Sequence, residues 1–259
     1  MTSLVQKSLK GFQIFLHPKS PAAIYRDPRR FEVNLRAIIL NLGLRTADLI
    51  QPQPRAECNI CGWQGRKFGY TAAISVYYFV PDEICLKCGS NRRTRMLIAL
   101  LAQHVNLTGP KLTVVEVGPS SSTWRYFAQY PNLQYLTVDC FKEADIKSDI
   151  TDINLLSNSV DVIICCHVLE HVENYHQAMT ELYRILKPGQ HGIIAVPQTP
   201  GLRVSRRTTT AATFQGYGHI WEFGDDFSDQ LARAGFQVAT VYGATEEPFH
   251  IVSKPNASE

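Results

Sequence analysis

The chain has no apolar run approaching the ~18 residues that a membrane-spanning helix needs. Near its start, Leu4, Val5, Leu9, Phe12, Ile14, Phe15 and Leu16 are interrupted by Lys7 and Lys10. The unbroken apolar core and small-residue cleavage site of a secretory signal are therefore lacking. The expectation is a cytoplasmic protein, with peripheral membrane contact not excluded. Internal repeats and low-complexity tracts are lacking too, which argues against a solenoid or a disordered tail. What is present is ordinary for a globular protein: 259 residues, 45% hydrophobic and 19% charged. That is room for one sizeable α/β domain and a smaller module.

The formal net charge of +3 conceals an asymmetry. Residues 1–111 hold 16 Lys/Arg against 6 Asp/Glu, whereas residues 112–259 hold 10 against 17. A basic front on an acidic half could steer nucleic acid, an acidic lipid surface or a phosphorylated substrate. It equally suits a solvated surface whose excess is partly offset by thiolates at a metal.

The 7 cysteines fall into two groups. Cys58-Asn-Ile-Cys61 and Cys85-Leu-Lys-Cys88 are two CxxC pairs with 23 residues between them. Such pairs can set four thiolates tetrahedrally around a structural Zn²⁺, leaving no open position for catalysis. Gly62 and Gly89 follow each pair, where the turn needs positive φ. The run Tyr70 to Val80 reads as strand, as a zinc ribbon requires. Disulfides are the competing reading and suit a secreted chain better. Cys140, Cys165 and Cys166 stand at the ends of predicted strands, and the last two read as buried strand residues.

Residues 1–50 read as mainly helical, broken near Pro18, Pro21 and Pro28, with the best helical spacing from Phe31 to Leu44. Gln51 to Pro54 is a linker, and Asn91 to Arg95 opens a helix reaching about His104. Arg92, Arg93 and Arg95 form either an anion-binding patch or the polar face of that helix. Strands are expected at Leu112 to Val117, Leu133 to Val138, a short piece before Asp149, Val160 to Cys166 and Ile193 to Val196. The helix between the last two should end at Lys187-Pro188-Gly189. A helix from Asp225 to Ala234 and an antiparallel pair, Phe236 to Tyr242 with about His250 to Val252, complete the sheet. The domains are therefore expected at 1–50, 51–90 and 91–259.

The segments DITD, SVDVIICCHVLEHV and LYRILKPGQ, at residues 149–152, 159–172 and 182–190, resemble class I S-adenosylmethionine (SAM)-dependent methyltransferases, particularly the type-11 group. Related chains also carry a preceding CxxC pair module. The resemblance covers roughly residues 91–259 and leaves the first 50 unexplained. It implies a Rossmann-like, mostly parallel α/β sheet with an antiparallel last pair, preceded here by a zinc-ribbon-like module and N-terminal helices. It also implies SAM as cofactor. Glu116 and Gly118 match the family's acidic residue and first glycine, but Pro119 and a serine run replace the remaining glycines. A glycine there lets backbone N–H groups approach a ligand, and the following helix start favours its carboxylate. Asp139, about 20 residues on, can accept from both ribose hydroxyls; its alternative is a turn or cap role. By resemblance Asp149 and Ile150 contact the adenine, and Ser120, Cys166 and His167 complete the cofactor set.

His167-x-x-Glu170-His171 also matches an inverzincin metalloprotease pattern, but that requires a long helix and a further ligand. Here the motif directly follows a buried strand, and the expectation for Glu170 and His171 is helix-start capping and packing. The candidates for a general base toward an acceptor hydroxyl are His167, His219 and Glu222. The last two lie in segment 198–224, where the family places its acceptor loop, with Arg203, Arg206, Arg207, Phe214, Tyr217 and Trp221. No Asn/Asp-Pro-Pro-Tyr motif follows the fourth strand, which argues against methylation of nucleobase amines. Three functions stand: methylation of a small-molecule or glycan acceptor, methylation of RNA with the basic zinc module as binder, and a non-catalytic scaffold with a degenerate cofactor loop.

Overall fold

The structure is a computed structural model that describes residues 28–50, 52, 54–73, 78–208, 218–243 and 247–256. The apolar N-terminal stretch before Pro28, and Phe214 and Tyr217, lie outside those residues. The chain divides into two compact units, Met1–Arg95 and Met96–Glu259. No described helix is long and apolar enough to cross a membrane.

In the first unit, α1 (Pro28–Ile50) is followed by the short strands β1 (Ala56–Glu57) and β2 (Gln64–Gly65) and by the antiparallel pair β3 (Gly69–Ala73) and β4 (Tyr78–Ile84). The helix is bonded to the ribbon rather than separate from it. Asn41 donates to Tyr70 O and accepts from Tyr70 N–H, Asp48 accepts from Arg66 N–H, and Arg45 donates to Leu86 O at 2.6 Å. α2 (Arg92–His104) begins in this unit and continues in the next.

The second unit runs β5 (Leu112–Val117), α3 (Ser121–Phe127), β6 (Leu133–Val138), β7 (Val160–Cys166), α4 (Tyr175–Ile185), β8 (Leu186–Ala195), β9 (Arg206–Arg207), β10 (Trp221–Glu222), α5 (Phe227–Arg233), β11 (Gln237–Tyr242) and β12 (Pro248–Ser253). Six strands form one sheet in the order β11-β12-β8-β7-β5-β6. The pairs β6/β5, β5/β7 and β7/β8 are parallel, and β8/β12 and β12/β11 antiparallel. This is the mostly parallel, Rossmann-like sheet with an antiparallel last pair that the resemblance implies. Apolar runs rather than alternation at β5 and β7 follow from burial on both faces.

Two expectations need correction. The short strand before Asp149 shrinks to a single bridge, Val138 with Ile146. Asp145 accepts from both the N–H and Oγ1 of Thr137, so a side chain occupies the edge position that a strand would fill. The strand expected from Ile193 starts at Leu186 instead, because α4 stops at Ile185. Pro188 disfavours helix in the residue before it, so Lys187 is already extended and Leu186 pairs with Val160.

The core joins β5, β7 and β8 to α4 and α5, with Tyr175, Phe223 and Phe227 meeting edge-to-face. At its tightest, β8 lies so close to β7 that a Cβ on Gly192 would sit 2.2 Å from Ile163 Cγ1 and 2.7 Å from Ile163 O. The carbonyl cannot rotate away without breaking the ladder. Gly192→Ala is expected to lower stability by about 1–3 kcal/mol, the usual cost of overpacking, read as a lower urea midpoint at unchanged slope. An unchanged midpoint would show that the strands can separate freely.

Candidate functional site

The parallel strands β6, β5 and β7 end side by side, and the residues singled out in the sequence stand at those ends. Gly118, just after β5, has φ +66° and donates its N–H to Val138 O. A Cβ there would lie 2.7 Å from Val168 Cγ2, so glycine is required both by conformation and by the turn beyond β7. Ser120 caps α3, its Oγ accepting from Thr123 N–H at 3.1 Å. Glu116 is buried and accepts a hydrogen bond from the Tyr135 hydroxyl. No sequence pattern marks Tyr135; its place on β6, in register opposite Val114 of β5, is what aims it there.

Asp139 ends β6. Its Oδ1 accepts from the N–H groups of Phe141 and Lys142, both at 2.7 Å, so the turn role anticipated for it is real. Its Oδ2 carries no hydrogen bond among the described residues, so one oxygen is left for a ligand. Asp149 accepts from Thr151 N–H and Oγ1 and is exposed, while Ile150 is buried within the core cluster.

β7 ends at Cys166, and His167 then takes φ +58°, a left-handed conformation that is uncommon and strained for this residue type. A single 3₁₀ turn, Leu169–His171, follows, so the helix that a metalloprotease motif needs is not formed. Glu170 is fully buried, yet neither carboxylate oxygen accepts a hydrogen bond from the described residues. It does not cap the turn as the sequence suggested. Instead His167 Nδ1 lies 3.3 Å from its Oε1, and His171 Nε2 and His219 Nε2 each lie 3.9 Å away. His167 Nε2 faces Glu247 at 3.1 Å. Burial holds the His219 imidazole below its ordinary pKa, with Glu170 opposing that shift. Of the three residues expected to act on a proton, His167 and His219 are thus brought together around Glu170. Glu222 is not, because its carboxylate pairs with Arg206 Nε at 2.8 Å across the β9/β10 ladder. The HxxEH spacing signalled Glu170 and His171; nothing in the sequence signalled Glu247.

In the first unit, the sulfurs of Cys58, Cys61, Cys85 and Cys88 all lie within 4.8 Å of one another. Cys58 and Cys88 are 3.8 Å apart and Cys61 and Cys85 3.7 Å. A tetrahedral ion with ~2.3 Å Zn–S bonds needs sulfurs roughly 3.8 Å apart, so the cluster fits zinc without rearrangement. The two knuckles repeat each other. Gly62 N–H donates to Cys58 O and Gly89 N–H to Cys85 O, with φ of +66° and +73°. Arg95 is buried beside them, donating to the carbonyls of Ser90, Glu83 and Asp82 and lying over the Phe68 ring. Arg92 donates to Pro81 O. These two arginines hold the module's loops and so are not a ready anion patch.

Burial pushes Glu116 up to about 7 from a reference of 4.5, against the hydrogen bonds from Tyr135, Thr123 and Ser120 that favour its carboxylate. A carboxyl group with a raised folded pKa binds more protons folded than unfolded between those two values. Its stability contribution is therefore lost as pH rises from 4.5 to about 7. Glu116→Gln keeps an acceptor for Tyr135 and removes the charge. It is expected to gain on the order of 2 kcal/mol over the native chain at pH 8 relative to pH 5. Urea unfolding at both pH values, without ligand, checks this; a difference that does not change with pH would place the titration elsewhere.

The Methyltransf_11 family model, a methyltransferase domain, matches residues 95–194. No curated protein matches the chain. Similar solved structures include a chain from the Haloferax volcanii complex of the Trm112 methyltransferase activator with a methyltransferase. It is 15% identical, with a TM-score of 0.48, over 61% of this chain and 88% of that one. An O-methyltransferase family protein from Burkholderia thailandensis is 13% identical, with a TM-score of 0.49, over 64% and 57%. A SAM-dependent methyltransferase from Aquifex aeolicus is 16% identical, with a TM-score of 0.45, over 60% and 87%. At these scores the three carry no argument about this chain. The family match does: residues 95–194, which carry the parallel strands and the motif segments, match a methyltransferase domain, and this match indicates a SAM-dependent methyltransferase.

Proposed function

We propose that the chain transfers the methyl group of SAM to a hydroxyl of a small-molecule or glycan acceptor, with SAM bound across the carboxyl ends of β5, β6 and β7. The observation that carries this reading is the alignment of Gly118, the unbonded Oδ2 of Asp139 and the turn at His167 on three adjacent parallel strands. Ligands of open α/β sheets bind beyond the carboxyl ends of their strands. Bound there, SAM supplies an already activated methyl group. The chain's residues orient it: Gly118 presents open backbone, Asp139 Oδ2 accepts from a ribose hydroxyl, and Ser120, Cys166 and His167 border the space. Asp149 and Ile150 shape the adenine end, Ile150 from within the core. Glu116 acts through Tyr135 and the loop rather than by reaching the ligand. The acceptor lies toward the Glu170 cluster, where His219 faces the centre. Alignment of acceptor oxygen and methyl carbon is then the main catalytic task.

The four cysteines hold a structural Zn²⁺, supported by the tetrahedral sulfur spacing. RNA as acceptor finds less support, since Arg92 and Arg95 are engaged within their own module.

Calorimetric titration of the zinc-loaded chain with SAM is expected to show micromolar binding. Asp139→Asn keeps an Oδ1 acceptor for the Phe141 and Lys142 N–H groups but replaces Oδ2 with a donor. It is expected to weaken SAM at least tenfold, about 1.4 kcal/mol, without loss of thermal stability. An Asn variant that binds SAM as tightly as the native chain would confine Asp139 to its turn, and no binding by the native chain would favour a scaffold.

Metal analysis of the purified chain is expected to find zinc at the cysteine site. A Cys61→Ser/Cys88→Ser variant should lose that zinc and the order of residues 54–73, read by hydrogen exchange. Full zinc retention by this variant would place the metal elsewhere.

A further inference from the structure

We infer that Glu170, His171 and His219 form a second metal site, one that takes a divalent transition-metal ion and presents it to an oxygen atom of the acceptor. Only the acceptor clause rests on the function proposed above. The metal clause stands on the geometry alone.

A fully buried carboxylate is normally tied to N–H donors or cations, because water has been taken from it. Glu170 has no exposure, and among the described residues neither of its oxygens has a hydrogen-bond donor. Around it the ligand atoms of Glu170, His171 and His219 all lie within 4.8 Å of one another. The two separations of 3.9 Å to Glu170 Oε1 are too long for hydrogen bonds. They are close to the roughly 3.4 Å edge that a tetrahedral ion with ~2.05 Å bonds would span. The gap that a proton cannot bridge is one that an ion nearly fills.

The imidazoles are also aimed. His171 Nδ1 donates to Gly218 O at 3.1 Å, which fixes the tautomer and leaves Nε2 as the lone-pair nitrogen facing Glu170. A backbone carbonyl holding one ring nitrogen is the usual support of a metal-ligating histidine. The two contributing segments are fastened together: Ile220 N–H donates to Glu170 O at 2.7 Å, and Trp221 Nε1–H to Val172 O at 3.0 Å. The donors are therefore held in place before any ion arrives.

His167 is the competing partner, since an imidazolium there would offset the Glu170 charge at 3.3 Å. Its other nitrogen faces Glu247 at 3.1 Å, however, so the ring stands between two carboxylates. Two imidazoles and one carboxylate suit zinc, cobalt or iron(II) rather than calcium or magnesium. Three protein donors leave coordination positions open, unlike the four thiolates of the other cluster. His171, with its side chain 40% exposed, gives an outside ligand access. Val168 Cγ2 stands against Gly118, so the turn that carries Glu170 borders the space assigned to SAM. The acceptor class that fits is one with a hydroxyl, or two adjacent oxygens, able to bind a metal.

The test uses the full chain with its cysteine site loaded with zinc, titrated with Co²⁺ in the absence of SAM. One Co²⁺ per chain is expected, with d–d absorption and no sulfur-to-cobalt charge-transfer band. His219→Ala and Glu170→Gln should each weaken it at least tenfold, whereas His176→Ala, on the exposed side of α4, should not. Circular dichroism keeps a misfolded Glu170→Gln from counting, and His219→Ala then decides. Addition of acetohydroxamate, a bidentate oxygen ligand, should shift the cobalt bands. No extra Co²⁺ at millimolar concentration, or equal binding by both variants, would overturn the site and leave His167 as the partner of Glu170. Binding without a shift would overturn the acceptor clause. Failure of SAM to bind in the separate titration would leave the metal result standing.

Discussion

Everything at the candidate site is measured from where β7 ends. This strand is buried along Val160–Cys165 and clasped by parallel neighbours on both edges, β5 and β8. It has no freedom to shift register, because a one-residue slip would break both ladders at once. His167 N–H donates to Ala195 O, and the left-handed turn at His167 then stops the strand abruptly. The strained residue is tolerated because the ladders on either side over-determine its position. Glu170 is carried inward by that turn, which explains how a carboxylate comes to lie with no exposure and no hydrogen bond among the described residues.

The most family-like segment beyond the turn serves architecture. In LYRILKPGQ, Arg184 donates to Ile153 O and Leu155 O while pairing with Glu181 at 2.8 Å. Glu181 in turn accepts from Ile153 N–H. Arg184 holds Glu181 below its usual pKa, so the pair stays charged while it fastens the segment 149–157 to α4. Lys187 pairs with Asp161 at 2.7 Å, and Asp161 also accepts from Thr113 N–H, which ties β5, β7 and β8 at their starts. Polar residues on this motif thus set the separation of the strands whose far ends carry the chemistry.

Much of this was legible in the sequence because the signals were local. Segments of six or seven mostly apolar, strand-favouring residues with sharp ends mark β5, β6 and β7 at the expected bounds. CxxC pairs followed by glycines gave the sulfur cluster, since each knuckle is closed by its own backbone. What was not legible depends on partners distant in sequence. Glu247 meets His167 across 80 positions, and Arg206 takes Glu222 away from the cluster across a ladder too short to leave an apolar pattern. The missing edge strand was hidden for a similar reason: Asp145 imitates a strand through its side chain, and composition does not distinguish that from a turn. Glu170 read as a cap because a glutamate at the start of a helical turn usually is one; only burial reveals otherwise.

The charge asymmetry resolves in the same terms. The basic excess of the first 111 residues suggests a surface for a polyanion, yet several of its cations face inward toward carbonyl dipoles. Arg45 reaches Leu86 O, Arg92 reaches Pro81 O, and Arg95 reaches the carbonyls of Asp82 and Glu83 on β4 and of Ser90 just after the second cysteine pair. Guanidinium groups suit this task because one planar fork can satisfy several acceptors at once. Arg95 also lies against Cys58, Cys85 and Cys88, where binding a divalent ion as thiolates would leave a net negative charge to offset. A positive balance so placed supports a closed, structural metal module. The acidic half, by contrast, gathers histidines around a carboxylate at the ends of its strands. On the proposed reading the two halves divide the work by donor chemistry: sulfur where a fold must be held shut, nitrogen and oxygen where a position must stay open.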